Sequence, residues 1–165
     1  MNRMISLGLV TAIALTVSGF AGKSAQASIS MMNFQANGYG VFQEAGGNVF
    51  TGQVAWNPTM EMGSFKLMGN VGAGLMKNAF DKLFPGFNAQ VFLQKDLLGR
   101  VGVQVGGGIQ TWLTNGGTHP IASGNLYWGL TNKWFGMVDK IFAGYSRFFM
   151  TNATDEFRLG IGISI

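Results

Sequence analysis

The chain has 165 residues, no cysteine and a formal net charge of +4, with 47% hydrophobic but only 11% charged residues. Without cysteine there is neither a disulfide framework nor a thiolate metal site, and so small and unclustered a charge excludes a nucleic-acid footprint. Soluble domains carry about 25% charged residues, so this surface is not built mainly for water.

The N-terminus reads as a leader. Arg3 precedes the apolar run Met4 to Phe20, and Ala25-Gln26-Ala27 is a small-x-small cleavage pattern. The expectation is a signal peptide over residues 1–27, removed to leave Ser28 first, rather than a retained membrane anchor. Residues 28–165 then form one domain. With Arg3 and Lys23 gone, nine basic and seven acidic residues remain, a net charge of +2. No later apolar run reaches the length of a membrane helix.

From Met32 onward the chain alternates with the period of β-structure. Strand one, Met32 to Phe42, sets Phe34, Ala36, Gly38, Gly40 and Phe42 against Asn33, Gln35, Asn37 and Tyr39. Glu44 to Asn48 is a Gly-rich turn. Strand two, Val49 to Asn57, sets Phe50, Val54 and Trp56 against Thr51, Gln53 and Asn57, and Asn57-Pro58-Thr59 is read as the reversal. Strand three, Gly63 to Met76, shows Phe65, Leu67, Val71, Ala73 and Leu75 on one face, with Ser64, Lys66, Met68 and Asn70 on the other. Lys77 to Gly86 is a longer charged loop closed by Pro85-Gly86. Strand four, Phe87 to Lys95, alternates Ala89, Val91 and Leu93 with Asn88, Gln90, Phe92 and Gln94, and Asp96 to Gly99 turns it.

Strand five carries Val101, Val103, Val105, Ile109 and Leu113 on one face, with Gln104, Gln110, glycines and Trp112 on the other. Asn115 to Gly124 is a second longer loop. Strand six, Asn125 to Thr131, turns Leu126, Trp128 and Leu130 one way, and Asn132 to Asp139 connects. Strand seven, Lys140 to Thr151, is read with Phe142, Phe148 and Met150 outward and Tyr145 and Arg147 inward. Asn152 to Asp155 leads into the last and most regular strand, where Phe157, Leu159, Ile161, Ile163 and Ile165 alternate with Glu156, Arg158, Gly160, Gly162 and Ser164.

Eight segments of about ten alternating residues, separated by turns, are the signature of a transmembrane β-barrel. The expected fold is an all-β, eight-stranded, antiparallel up-and-down barrel. A soluble lipocalin-like carrier would turn its apolar face inward and need an exterior rich in Lys and Glu. Here the polar face is Asn, Gln, Ser, Thr and Gly, which suits a narrow lumen, and the apolar face suits hydrocarbon. Trp112, on the inner face, either caps the lumen or marks a bulge. An even strand number places both termini on the same side of the membrane.

On the leader, the eight alternating segments and the terminal FRLGIGISI, the chain resembles the small eight-stranded outer-membrane barrels of Gram-negative bacteria, of the OmpA transmembrane-domain and OmpX type. In that family the last residue is usually aromatic, and Ile165 differs. The resemblance implies location in the cell outer membrane and contact with its lipids. It also implies recognition of the C-terminal strand by the assembly machinery, a monomeric state, and a structural or surface-interaction role with neither enzyme activity nor cofactor.

Some outer-membrane barrels are lipid A deacylases that use serine, histidine and an acid, which is the alternative of a different class. His119, the sole histidine, has Ser123 near it but no acid in the same loop. Gly106-Gly107-Gly108 is not a phosphate loop, since no helix opens after it. Lys66, Arg147, Glu156 and Arg158, with Arg100 and Asp96 beside them, are the candidate lumen charge network, because an ionisable group in a narrow barrel must be paired or hydrated. Lys77, Asp81, Lys82 and His119 are the candidate surface-loop contacts.

Overall fold

The structure, a computed structural model, describes residues 28–43, 46–77, 82–113, 117–150 and 154–165. The expected leader and Asp81 lie outside the described residues. Ten strand segments follow one another: β1 (Ile29–Ser30), β2 (Phe34–Gln43), β3 (Gly46–Trp56), β4 (Thr59–Met62), β5 (Phe65–Lys77), β6 (Leu83–Leu98), β7 (Val101–Trp112), β8 (Gly117–Trp134), β9 (Val138–Phe148) and β10 (Thr154–Ser164). β1 and β2 lie along one stave and β3 and β4 along the next, so the segments amount to eight staves. Each stave pairs antiparallel with its neighbours in sequence.

Closure comes from the last strand on the first. β10 pairs β2 from Phe157↔Phe42 to Ser164↔Gln35, and Ile165 N–H donates to Phe34 O at 3.0 Å. Among the described residues the full-length staves therefore close on one another, while the two-residue β1 pairs only with β4; in hydrocarbon an unpaired edge would leave costly backbone groups. At Gly108 a Cβ would collide with the carbonyl oxygen of Ala89 on β6, so glycine there lets the wall fold tightly inward. Gly63 and Gly99 turn the chain with positive φ, 63° and 55°.

Three expectations are corrected. Asn57-Pro58-Thr59 does not reverse the chain. Pro58 lacks an N–H and interrupts the ladder, yet Asn57 N–H donates to Asn33 O at 2.7 Å and Pro58 O accepts from Gly69 N–H at 2.8 Å. The stave continues as β4 and reverses between Met62 and Phe65, which pair. Second, the described parts of the two longer loops are mostly wall. Pro85 pairs opposite Leu75 in β6 and Pro120 opposite Ile109 in β8. Both prolines lie near a strand's start, where one missing donor is tolerated, and their carbonyls accept from Leu113 and Phe149. Third, β9 has the opposite parity: Phe148 is buried, whereas Tyr145 and Arg147 face outward. Tyr145 pairs with Phe157 of β10, their ring centroids 5.2 Å apart.

The remaining strands keep the faces read from their alternation. Phe50, Val54, Leu75, Val91, Val105, Leu126, Trp128, Leu159 and Ile161 are exposed on the outer wall. Thr51, Asn70, Asn88, Gln90, Gln110 and Ser123 are buried within it.

Candidate functional site

The lumen is built in layers from the inward positions of all eight staves. Nearest the termini, Lys66 of β5 bridges Asp96 at 3.1 Å and Glu61 at 3.6 Å. Asp96 also accepts from the Tyr127 hydroxyl. Gln94 Nε2 donates to the Tyr127 oxygen at 2.7 Å, Gln104 Nε2 to Gln94 Oε1 at 2.9 Å, and Asn125 Nδ2 to Gln104 Oε1 at 3.3 Å. These partners come from consecutive staves and stitch one side of the barrel.

A second ladder runs from β6 back through β5 and the β3–β4 stave to β2. Asn88 Nδ2 donates to Asn70 Oδ1 at 2.7 Å, Asn70 Nδ2 to Asn57 Oδ1 at 2.7 Å, and Asn57 Nδ2 to Gln35 Oε1 at 3.1 Å. Gln35 Nε2 then donates to Asn37 Oδ1 at 2.6 Å. A side-chain amide both donates and accepts, so it propagates such a chain around a closed wall where a carboxylate would end it. Between the two ladders lies a cavity of about 350 Å³, lined among others by Lys66, Gln90, Tyr127, Lys140 and Arg158.

Deeper in, Arg158 donates to the Ser146 hydroxyl, and Ser146 shares a 2.9 Å hydrogen bond with Ser123. The guanidinium lies 5.6 Å from the centre of the Tyr39 ring. Glu156, 4% exposed, faces the same layer. Beyond it the lumen turns apolar. Met76, Trp112, Ile121 and Phe148 form a buried cluster with Phe84 and Met150 packed against it. The Trp112 ring makes tilted contacts with Phe148 and His119, centroids 5.4 and 5.5 Å away. Trp112 therefore caps the lumen and marks no bulge.

The candidate residues divide accordingly. Lys66, Glu156 and Arg158 face the lumen. Arg147 does not: it lies on the outer face, 3.7 Å from Asp155 and half exposed, because β9 turns its even positions inward. Arg100 is exposed at a turn rather than placed in the lumen network. His119 is corrected from a loop residue to a wall residue of β8, opposite Gln110 and partly buried. Lys77 ends β5 and pairs with Leu83, and Lys82 is exposed just before β6. His119 and Ser123 share the inward face of one strand, four residues and about 13 Å apart at 3.3 Å per residue. They make no nucleophile–base pair.

Asp96, read beside Arg100, pairs with Lys66 instead, and two partners were missed: Glu61, which also bridges Lys66, and Tyr127, which donates to Asp96. The signal available was the register that any reversal after Glu61 imposes on Lys66. The outer wall carries its own pattern. Lys95 Nζ lies 5.1 Å over the Phe65 ring, and Trp56 Nε1 donates to Met31 O at 2.6 Å. Among the described residues no three His, Asp or Glu side chains gather as metal ligands.

No protein-family model matches the sequence, and no curated protein matches it. Among solved structures it is similar to the crystal structure of Neisserial surface protein A (NspA), with 11% identity, 84% of this chain and 98% of that one covered, and a TM-score of 0.47. It is also similar to the backbone structure of the Yersinia pestis outer membrane protein Ail in a phospholipid bilayer nanodisc, with 9% identity, 81% of this chain and 99% of that one covered, and a TM-score of 0.50. At that identity the likeness to Ail speaks for the fold, which is that of a small closed antiparallel β-barrel.

Proposed function

We propose that the chain is a small outer-membrane barrel protein of the OmpA-domain and OmpX kind, with a structural or surface-interaction role and no catalysis. Residues 1–27 act as a cleaved leader and 28–165 as the barrel. The observation that carries this reading is the sidedness of the wall. Leucine, isoleucine, valine and aromatic side chains face outward on all eight staves, while amides link stave to stave within. A water-soluble carrier would need the reverse. The likeness in fold to Ail, an outer membrane protein described in a lipid bilayer, agrees with it.

The non-catalytic reading is supported by the separation of His119 from Ser123 and by the burial of Ser123 against Ser146, away from any lipid substrate. The barrel works as one chain, and its partners are membrane lipids and, through β10, the assembly machinery. The rim opposite the termini, where Lys82 and Leu113 stand, faces the cell exterior.

The test is a spin label at position 161, a single cysteine in a chain without others, in bilayers. Oxygen dissolved in lipid should broaden the signal strongly and a water-soluble nickel reagent weakly. A label shielded from both would place that face in a protein core and end the membrane reading.

A further inference from the structure

At the rim that carries the termini, two turns stand out for what they expose. The β6–β7 turn presents Leu97, Leu98 and Arg100. The β8–β9 turn presents Lys133, Trp134, Phe135 and Met137. Leu98 is 81% and Phe135 92% exposed. Turn tips bathed in water favour Gly, Asn, Asp and Ser, so a cluster of bare large apolar side chains there calls for something to cover it.

The tips are built rather than frayed. Gly136 N–H donates to Lys133 O at 3.3 Å and Met137 N–H to Trp134 O at 3.1 Å. Gly129 N–H donates to Arg100 O at 2.9 Å, which ties the base of one hairpin to the other. Phe135 has a φ of 50° and is the non-glycine residue with positive φ among the described residues. An aromatic residue held in the left-handed region is uncommon and strained. Here that conformation belongs to the most exposed large side chain of the tip.

Within the two turns the charge has one sign. Arg100 and Lys133 are exposed, and neither segment 97–100 nor 130–137 contains an acid. The nearest acids are engaged elsewhere. Asp96 faces inward to Tyr127 and Lys66, and Asp139 accepts from Ser164 N–H at 3.0 Å.

We propose that these two turns form a foot that binds the headgroup layer of an anionic phospholipid leaflet, with Leu98, Trp134, Phe135 and Met137 at the acyl boundary and Arg100 and Lys133 on lipid phosphates. The proposal rests on the barrel's being in a membrane. Aromatic rings favour that interface, and cations near an anionic leaflet each add about fivefold to its hold. A protein partner at the same tips is the competing occupant.

The experiment reconstitutes the full barrel with Trp56→Phe and Trp128→Phe, which leaves Trp134 and the lumenal Trp112. Vesicles contain phosphatidylcholine with either brominated phosphatidylglycerol or brominated phosphatidylcholine at equal mole fraction. Quenching of Trp134 should be severalfold stronger with the anionic lipid. Arg100→Gln with Lys133→Gln should abolish that preference while both lipids still quench. Equal quenching by the two lipids in the parent, or none by either, overturns the proposal, the second outcome leaving the tips to water or a protein. The spin label at position 161 is read in the same vesicles. Lipid exposure there, with Trp134 unquenched, refutes the foot alone, whereas shielding at 161 refutes the membrane reading beneath it.

Discussion

Asn70→Ala removes the middle rung of the four-stave amide ladder. The side chain is 8% exposed and joins Asn88 to Asn57, themselves 3% and 1% exposed. Its loss leaves Asn57 Oδ1 and Asn88 Nδ2 without these partners. An unmet buried polar group costs about 1–3 kcal/mol, so the two sum to roughly 2–6 kcal/mol. Water entering from the adjoining cavity of about 350 Å³ restores part of this, and the expected loss is about 2–4 kcal/mol. Urea unfolding in lipid vesicles, followed by tryptophan fluorescence, measures it. Asn70→Leu fills the space but supplies no hydrogen bond, so it should lose a similar amount. A double-mutant cycle with Asn57→Ala should show coupling of at least about 0.5 kcal/mol. Strict additivity, or recovery of stability by leucine, would refute the ladder as a source of stability and make Asn70 a filler of volume.

Other outcomes follow from the same geometry. Arg158→Leu should lower the unfolding midpoint clearly, since it strips Ser146 and Tyr39 of a lumenal partner; Arg147→Leu, which removes a half-exposed pair, should change stability by roughly 0–1 kcal/mol. Equal effects would contradict the assigned parity of β9. Gly160→Ala should destabilise, because its Cβ would collide with the Gly38 carbonyl oxygen, while Gly38→Ala, with nothing within 4 Å, should be tolerated; thermal gel-shift assays compare them. Ile161→Arg should impair insertion by about 2–4 kcal/mol near the midplane, read as a protease-sensitive fraction. In intact cells a cysteine at Leu113 should take an impermeant label and one at Leu98 should not, and the opposite pattern would invert the topology.

The fold was legible because on seven of the eight staves the outward face is mainly apolar and the inward face mainly polar or small, with inward apolar residues such as Met76, Trp112 and Ile121 isolated on their strands. β10 shows it most plainly: Phe157, Leu159 and Ile161 are exposed while Glu156 and Gly162 are buried. Strand seven defeated the rule because the lumen changes character along its length. Phe142 packs edge-on against Tyr39 at 6.0 Å, and Phe148 belongs to the apolar plug beside Trp112. Both are inward, so an apolar residue on β9 carried no information about its face. The neighbouring strand held the missing constraint. Once Phe157 is outward on β10, antiparallel pairing places its partner Tyr145 outward too, and Arg147 with it.

The reversals were misread for a related reason. A proline in a sequence signals a lost donor, not a change of direction, and whether a stave survives the loss depends on cross-strand bonds such as Gly69 N–H to Pro58 O. The ladder of amides was visible as composition and invisible as connectivity. Asn57, Asn70 and Asn88 are spaced 13 and 18 residues apart, and only the register of three adjacent staves brings them into line. What a barrel holds in its lumen is thus written between strands. What it shows to lipid is written within each one.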